Sequence, residues 1–139
     1  MRELRAGIAE VIKVGILGDS ELFGYLEQHA NDSIFNNTDI MQQVVLSAIR
    51  LKVDIVERDE RESGIRRLLN LGHTIAHAIE KCTRAVNHGE AVAMGLSAIA
   101  HASVRRGLLA TSDCERIDSL LAAFGFEITP PVSMADILR

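Results

Sequence analysis

Apolar residues return at intervals of three and four along almost the whole chain, and no run alternates with a period of two. That pattern admits helices and leaves no segment for a half-buried strand, so the expected fold is all-α, a multi-helix bundle. A chain of 139 residues, 47% hydrophobic and 24% charged, suffices for one domain over residues 1–139 with its own core. Residues 3–17 set Ile8, Val11, Ile12 and Ile16 on one face, and Gly18 stops that helix. Asp19 or Ser20 then caps a second helix ending near Asn31. Thr38 or Asp39 is expected to cap the longest helix, whose stripe is Ile40, Val44, Ala48, Leu51 and Ile55. The run "ERDERESG" reads as a solvated turn. Beyond it the pattern predicts a helix fading near Thr83, one from about Gly89 to Arg106 closed by Gly107, and one over 112–124. "TPP" at 129–131 then breaks the chain before a short segment from Ser133.

Charge narrows the function. A net charge of −4 argues against a nucleic-acid or membrane-surface partner, which needs a basic excess. The longest charge-free apolar stretch, Ala91 to Val104, contains His101 and falls short of the roughly 18 residues a membrane span needs, so it reads as a core helix. The N-terminal "MRELRAGIAEVIK" carries charges where a signal peptide has its apolar centre, so the expected location is cytoplasmic. Cys82 and Cys114 are too few for a disulfide framework and read as reduced structural thiols.

Against this apolar background, ionisable residues recur at helical spacing. "NLGHTIAHAIE", residues 70–80, places His73 and His77 four apart, on one helix face. Arg66, Asn70, His73 and His77 form one continuous stripe if the helix extends back to Arg66. Glu10 and Lys13 sit three apart in "AEVIKVG", Lys52 interrupts "IRLKVDIV", and His88 opens "HGEAVAMG". Taken singly, each has an ordinary explanation: a surface ion pair, a snorkelling lysine, a satisfied histidine. Imidazole and carboxylate groups from separate helices are also what a catalytic zinc site uses, with a coordination position left for water or substrate. Spacing alone leaves convergence open. "HTIAH" has Thr where a zinc protease helix needs its glutamate base, which disfavours that chemistry.

Three blocks in order, "RELRAGIAEVIKVGIL", "DERESGIRRLLNLGHTIAHAIE" and "HGEAVAMG", resemble the C-terminal half of the 3-dehydroquinate synthase family, within the sugar phosphate cyclases, and span residues 2–95. The resemblance implies a helical metal- and substrate-binding domain with zinc, or cobalt in its place, held by Glu10, His73 and His88. It implies substrate contacts from Lys13, Lys52, Arg66, Asn70 and His77, so that His73 is a metal ligand while His77 lines the pocket. The family substrate is 3-deoxy-D-arabino-heptulosonate 7-phosphate, a phosphorylated sugar acid. Arg suits its oxyanions through bidentate bonds and Lys as a mobile charge. The family reaction oxidises an alcohol with bound NAD+, eliminates phosphate, returns the hydride, then opens and recloses the ring to give 3-dehydroquinate in the shikimate pathway. The family protein is expected to be a homodimer.

Three departures stand out. No "GGG" or GxGxxG occurs, so the N-terminal Rossmann-like NAD-binding domain is absent from residues 1–139, and the isolated chain is expected not to turn substrate over. The family's lysine-rich "DKK" element would fall beyond Arg139. Ala76 replaces the usual Gly, and the segment between Glu80 and His88 is short and lacks its customary Gly-Tyr. Alternatives are a different cyclase (2-deoxy-scyllo-inosose or 2-epi-5-epi-valiolone synthase), an iron-type alcohol dehydrogenase, or a non-catalytic helical module. "AEVIK" and "RLLNLGH" argue against the dehydrogenase. The module would be indifferent to His73→Ala.

Overall fold

A computed structural model describes residues 2–30 and 33–137 of the chain. Among them every regular element is helical and the fold is all-α. The chain divides into two compact units, Met1–Asn70 and Leu71–Arg139. The first holds α1 (Arg2–Gly18), α2 (Ser20–His29), α3 (Ser33–Asn36), α4 (Thr38–Arg58) and a 3-10 turn (Ile65–Asn70); the second holds α5 (His73–Cys82), α6 (His88–Arg105), α7 (Thr111–Ala123) and α8 (Met134–Ile137). None of the described helices is long and apolar enough to cross a membrane. The expected end of the second helix near Asn31 lies outside the described residues.

In the first unit, α1 packs on α2 and α4, burying Ile8 and Ile12 of α1, Leu26 of α2, Ile34 of α3 and Val44 of α4. A side chain so buried contributes on the order of 1.5–3 kcal/mol. Asp19 caps α2 as its sequence position suggests, accepting the Leu22 N–H at 2.8 Å. The cap of α4 is Asn37, not Thr38 or Asp39. Its backbone is extended, so its Oδ1 can turn back to accept from Asp39 N and Ile40 N at 3.1 and 3.2 Å. Val44, Ala48 and Ile55 of the expected α4 stripe are buried. A second apolar side, Val45, Leu46, Ile49 and Val53, is 40–50% exposed. Val45 and Ile49 join Leu4 and Val11 in lining an open groove of about 290 Å³ between α1 and α4, with Glu10 and Lys52 on its wall.

In the second unit, α6 is the central helix, packed on α5 and α7. A capping box fixes its start: Asn87 Oδ1 accepts Glu90 N at 2.9 Å while Glu90 Oε2 accepts Asn87 N at 2.7 Å. Positions 91 to 97 of α6 are all buried, as the charge-free stretch anticipates. The helix anticipated to run from Arg66 to His77 does not form as one piece. Residues 65–70 tighten into the 3-10 turn, and Gly72 takes φ +76°, a left-handed conformation that ends helical propagation before α5 starts at His73. Packing compels that break within the second unit. A Cβ on Gly72 would stand 2.9 Å from the Leu96 amide nitrogen, and one on Gly95 would run into the Gly72 carbonyl.

Gly95→Ala should therefore destabilise the protein by at least about 3 kcal/mol, since the obstacle is backbone. Gly7→Ala, with nothing within 4 Å of the added methyl in α1, should stabilise it by about 0.5–1 kcal/mol. Denaturant midpoints of the two variants check both signs.

Candidate functional site

In the second unit, His73, His77 and His88 form one cluster. Ring centroids lie 5.6 Å apart for His73 and His77, 5.4 Å for His73 and His88, and 6.3 Å for His77 and His88. The short segment before α6 therefore still delivers His88 to the other two. His73 Nδ1 donates to the Leu71 carbonyl at 3.2 Å, and His88 Nδ1 donates to Glu80 Oε1 at 3.1 Å. A carbonyl and a carboxylate only accept, so Nδ1 carries the proton in both rings, and in the neutral form of each ring Nε2 keeps its lone pair. A donor on Nδ1 and a lone pair on Nε2 is the arrangement that holds a metal-ligating imidazole in place. The donor set fits a borderline cation such as zinc.

In the first unit, Glu10, Lys13 and Lys52 come together. Glu10 Oε2 meets Lys13 Nζ at 2.8 Å and Lys52 Nζ at 3.5 Å. The pair Glu10–Lys13 is no surface bridge: Lys13 is only 3% exposed. Burial lowers the Lys13 pKa, Glu10 opposes that through its hydrogen bond and charge, and Lys52 adds to the lowering. Lys13 Nζ also donates to the Leu69 carbonyl at 2.6 Å, which ties α1 to the 3-10 turn. That turn carries Arg66 and Asn70. Arg66 donates from its guanidinium to the Glu60 carbonyl at 2.9 Å, and Asn70 Nδ2 donates to Glu62 Oε1 at 3.1 Å.

The run "ERDERESG" is not wholly a solvated turn. Asp59 within it is 8% exposed. Its carboxylate accepts from Ser63 N and Oγ on Oδ1, at 2.9 and 3.1 Å, and from Gly64 N and Arg66 N on Oδ2, at 2.7 and 3.0 Å. Glu62 holds a φ of +53°, which an L side chain rarely adopts. Asp59, Glu62 and Glu80 are the partners that sequence reasoning missed.

A further group, His101, Cys114 and Asp118, joins α6 to α7. Both Asp118 oxygens are engaged, Oδ1 by Ser97 Oγ at 2.6 Å and Oδ2 by His101 Nε2 at 2.7 Å. Burial pushes the Cys114 thiol up, with help from the Asp118 and Glu115 charges, which keeps it protonated. Asp118 thus links α7 to α6 through Ser97 and His101. Cys82 and Cys114 are both free thiols, Cys82 exposed and Cys114 buried.

The sequence profile described as 3-dehydroquinate synthase C-terminal matches residues 7–139. The chain belongs to that family. It is 43% identical over 136 residues to a 3-dehydroquinate synthase of Saccharophagus degradans, covering 96% of this chain and 38% of that protein. It is 44% identical over 143 residues to the Colwellia psychrerythraea enzyme of the same name, covering 100% and 40%. The chain thus spans about two fifths of the length of these relatives. Among solved structures, it is similar to a 2-epi-5-epi-valiolone synthase from Streptomyces hygroscopicus with NAD+ and Zn2+ bound, at TM-score 0.89 and 27% identity, covering 99% of this chain and 39% of that one.

The Asp59 carboxyl is lowered from its ordinary 3.8 to about 2, chiefly by the Arg66, Ser63 and Gly64 backbone N–H bonds. A carboxyl depressed in the folded state stabilises above its unfolded pKa and loses that contribution as pH falls through the folded value. Asp59→Asn should then be less stable than wild type above about pH 4, and the gap should close toward pH 2. Urea titrations at several pH values measure this directly.

Proposed function

We propose that this chain supplies the metal-binding and substrate-binding helices of a 3-dehydroquinate synthase, acting on 3-deoxy-D-arabino-heptulosonate 7-phosphate and yielding 3-dehydroquinate and phosphate. The observation that carries the proposal is the imidazole cluster with His73 and His88 each fixed through Nδ1. Glu10, His73 and His88 would hold the metal, zinc or cobalt. When bound, the metal polarises the oxygen at the carbon to be oxidised, and NAD+ accepts and returns the hydride.

The chain's own residues do the rest. Lys13 and Lys52 flank the single carboxylate of Glu10, so the cluster has a net positive charge suited to an anionic substrate. Two of the three Lys13 N–H donors are engaged by Glu10 and Leu69, and the third would reach a substrate oxygen. Arg66 would grip an oxyanion bidentately, Asn70 would hydrogen-bond a hydroxyl, and His77 would line the pocket beside the metal-binding rings. The choice of substrate rests on relatives at 43 and 44% identity that are 3-dehydroquinate synthases. The second reading, another sugar phosphate cyclase, draws on the likeness to 2-epi-5-epi-valiolone synthase at 27% identity. The same metal ligands would serve either.

Calorimetric titration of the stripped chain with zinc tests the metal set. We expect one-to-one binding, weakened more than about 100-fold in His73→Ala, His88→Ala and Glu10→Gln and about 10-fold in Glu80→Ala. His77→Ala should keep zinc affinity within about threefold while losing affinity for the sugar acid phosphate. Zinc binding indifferent to His73 and His88 would sink the reading. Equal or tighter binding of a different sugar phosphate, one without the carboxylate, would favour the second one.

A further inference from the structure

We infer that Asp59 is a positioning residue for substrate binding, holding Arg66 in place through the loop that joins α4 to the 3-10 turn; this rests on the functional reading of Arg66 above. As a helix stop, Asp59 needs only its backbone, whose N–H returns to the Val56 carbonyl at 3.2 Å. Its side chain does something else. It reaches forward as far as the Arg66 amide, seven residues along the chain, and takes the Gly64 amide on the same oxygen. Those amides lie at the start of the 3-10 turn, where no preceding turn supplies acceptors. Hydrogen bonds to an ionised acceptor are roughly twice as strong as neutral ones, so the carboxylate is a firm anchor.

Little else holds the loop. Residues 60–64 are exposed and put no apolar side chain into the core. Apart from the Asp59 side chain, the backbone and Arg67 bonds within the loop are the Glu62 N–H on the Asp59 carbonyl at 3.3 Å, the Arg67 N–H on the Gly64 carbonyl at 3.1 Å and Arg67 Nε on the Glu62 carbonyl at 3.1 Å. Arg66 is thereby held twice, by its amide on Asp59 and by its guanidinium on Glu60 of the loop that Asp59 closes. The partner of Asn70, Glu62, belongs to the same loop. Without the carboxylate, the Arg66 backbone loses its reference to α4 and the guanidinium loses its aim. A displacement of about 1 Å at a positioning group can cost up to about 100-fold.

The test is a double-mutant cycle on the zinc-loaded chain, titrated with 3-deoxy-D-arabino-heptulosonate 7-phosphate. Asp59→Ala should weaken binding about tenfold or more while leaving zinc affinity within about threefold. Combined with Arg66→Ala, it should add less than about twofold to the loss from Arg66→Ala alone, because a residue acting through Arg66 has nothing left to position. Independent, multiplying losses would overturn the inference, as would wild-type affinity in Asp59→Ala. Should Asp59→Ala fail to fold, Asp59→Asn, which keeps one acceptor oxygen, takes its place in the cycle with the same outcomes. Hydrogen exchange separates the two levels of the claim. If wild type binds no substrate, or Arg66→Ala binds as well as wild type, the functional reading fails and this inference with it, even where the Gly64 and Arg66 amides lose protection in the variant. If substrate binds in an Arg66-dependent way but those amides exchange alike with and without the carboxylate, the positioning role alone fails.

Discussion

The carbonyl of Gly72 occupies the space that any side chain at position 95 would need. That approach of two backbones is what the second unit is built on. It sets the start of α5 against α6, with Gly72 just ahead of α5 and Gly95 within α6, and Gly72 takes a left-handed turn so that α5 begins at His73 and not earlier. Because His73 opens α5 and His88 opens α6, the same contact that seats one helix on the other decides how far apart the two imidazoles stand. A larger residue at either glycine would push on both histidines at once.

Once the rings are placed, their chemistry is decided by what sits behind them. Leu71 offers a carbonyl to His73 and Glu80 a carboxylate to His88, two different acceptors that impose one tautomer. The first unit reaches an ordered polar group by the opposite route. There a charge is taken out of water and then compensated, with Glu10 and the Leu69 carbonyl replacing the solvent that Lys13 loses. Imidazoles oriented through Nδ1 in the second unit, and a cation cluster in the first, are the two kinds of group that the proposed chemistry needs.

Helix content, most helix limits and the burial of the stretch around Ala91 were legible because each depends on local periodicity, which a single sequence displays. The N-cap of α4 was misplaced by a residue because Asn37, Thr38 and Asp39 are all competent caps and only the backbone conformation selects one. The continuous stripe from Arg66 to His77 failed for a different reason. Its spacing is helical, but the close packing of Gly72 on Gly95 is a contact between residues 23 apart, invisible to any local pattern. The candidate residues themselves stood out by their spacing on an apolar background, and their roles came from the family resemblance. Lys13 as a buried ammonium and Asp59 as a loop anchor were not legible, since burial of a charge depends on partners that the sequence places 56 and seven residues away.

The burial of Lys13 has one more consequence. An ammonium in this position must keep its acceptors, because a charge left unpaired in a poorly solvated site costs several kcal/mol. One acceptor is the carbonyl of Leu69, presented by a 3-10 turn whose first amides are fastened to Asp59. Were that turn to relax toward a regular α-helix, the Leu69 carbonyl would point along the helix to a backbone N–H and leave the lysine. The tight turn is therefore favoured from both ends, by an anion at its start and a cation at its finish, which is the polarity a helical segment's own dipole prefers. Arg66 is fastened at the first of those contacts, and Asn70 directly follows the second. Their placement follows from an electrostatic clamp on the backbone, which explains how a half-buried Arg66 and an exposed Asn70 can be held in a defined geometry.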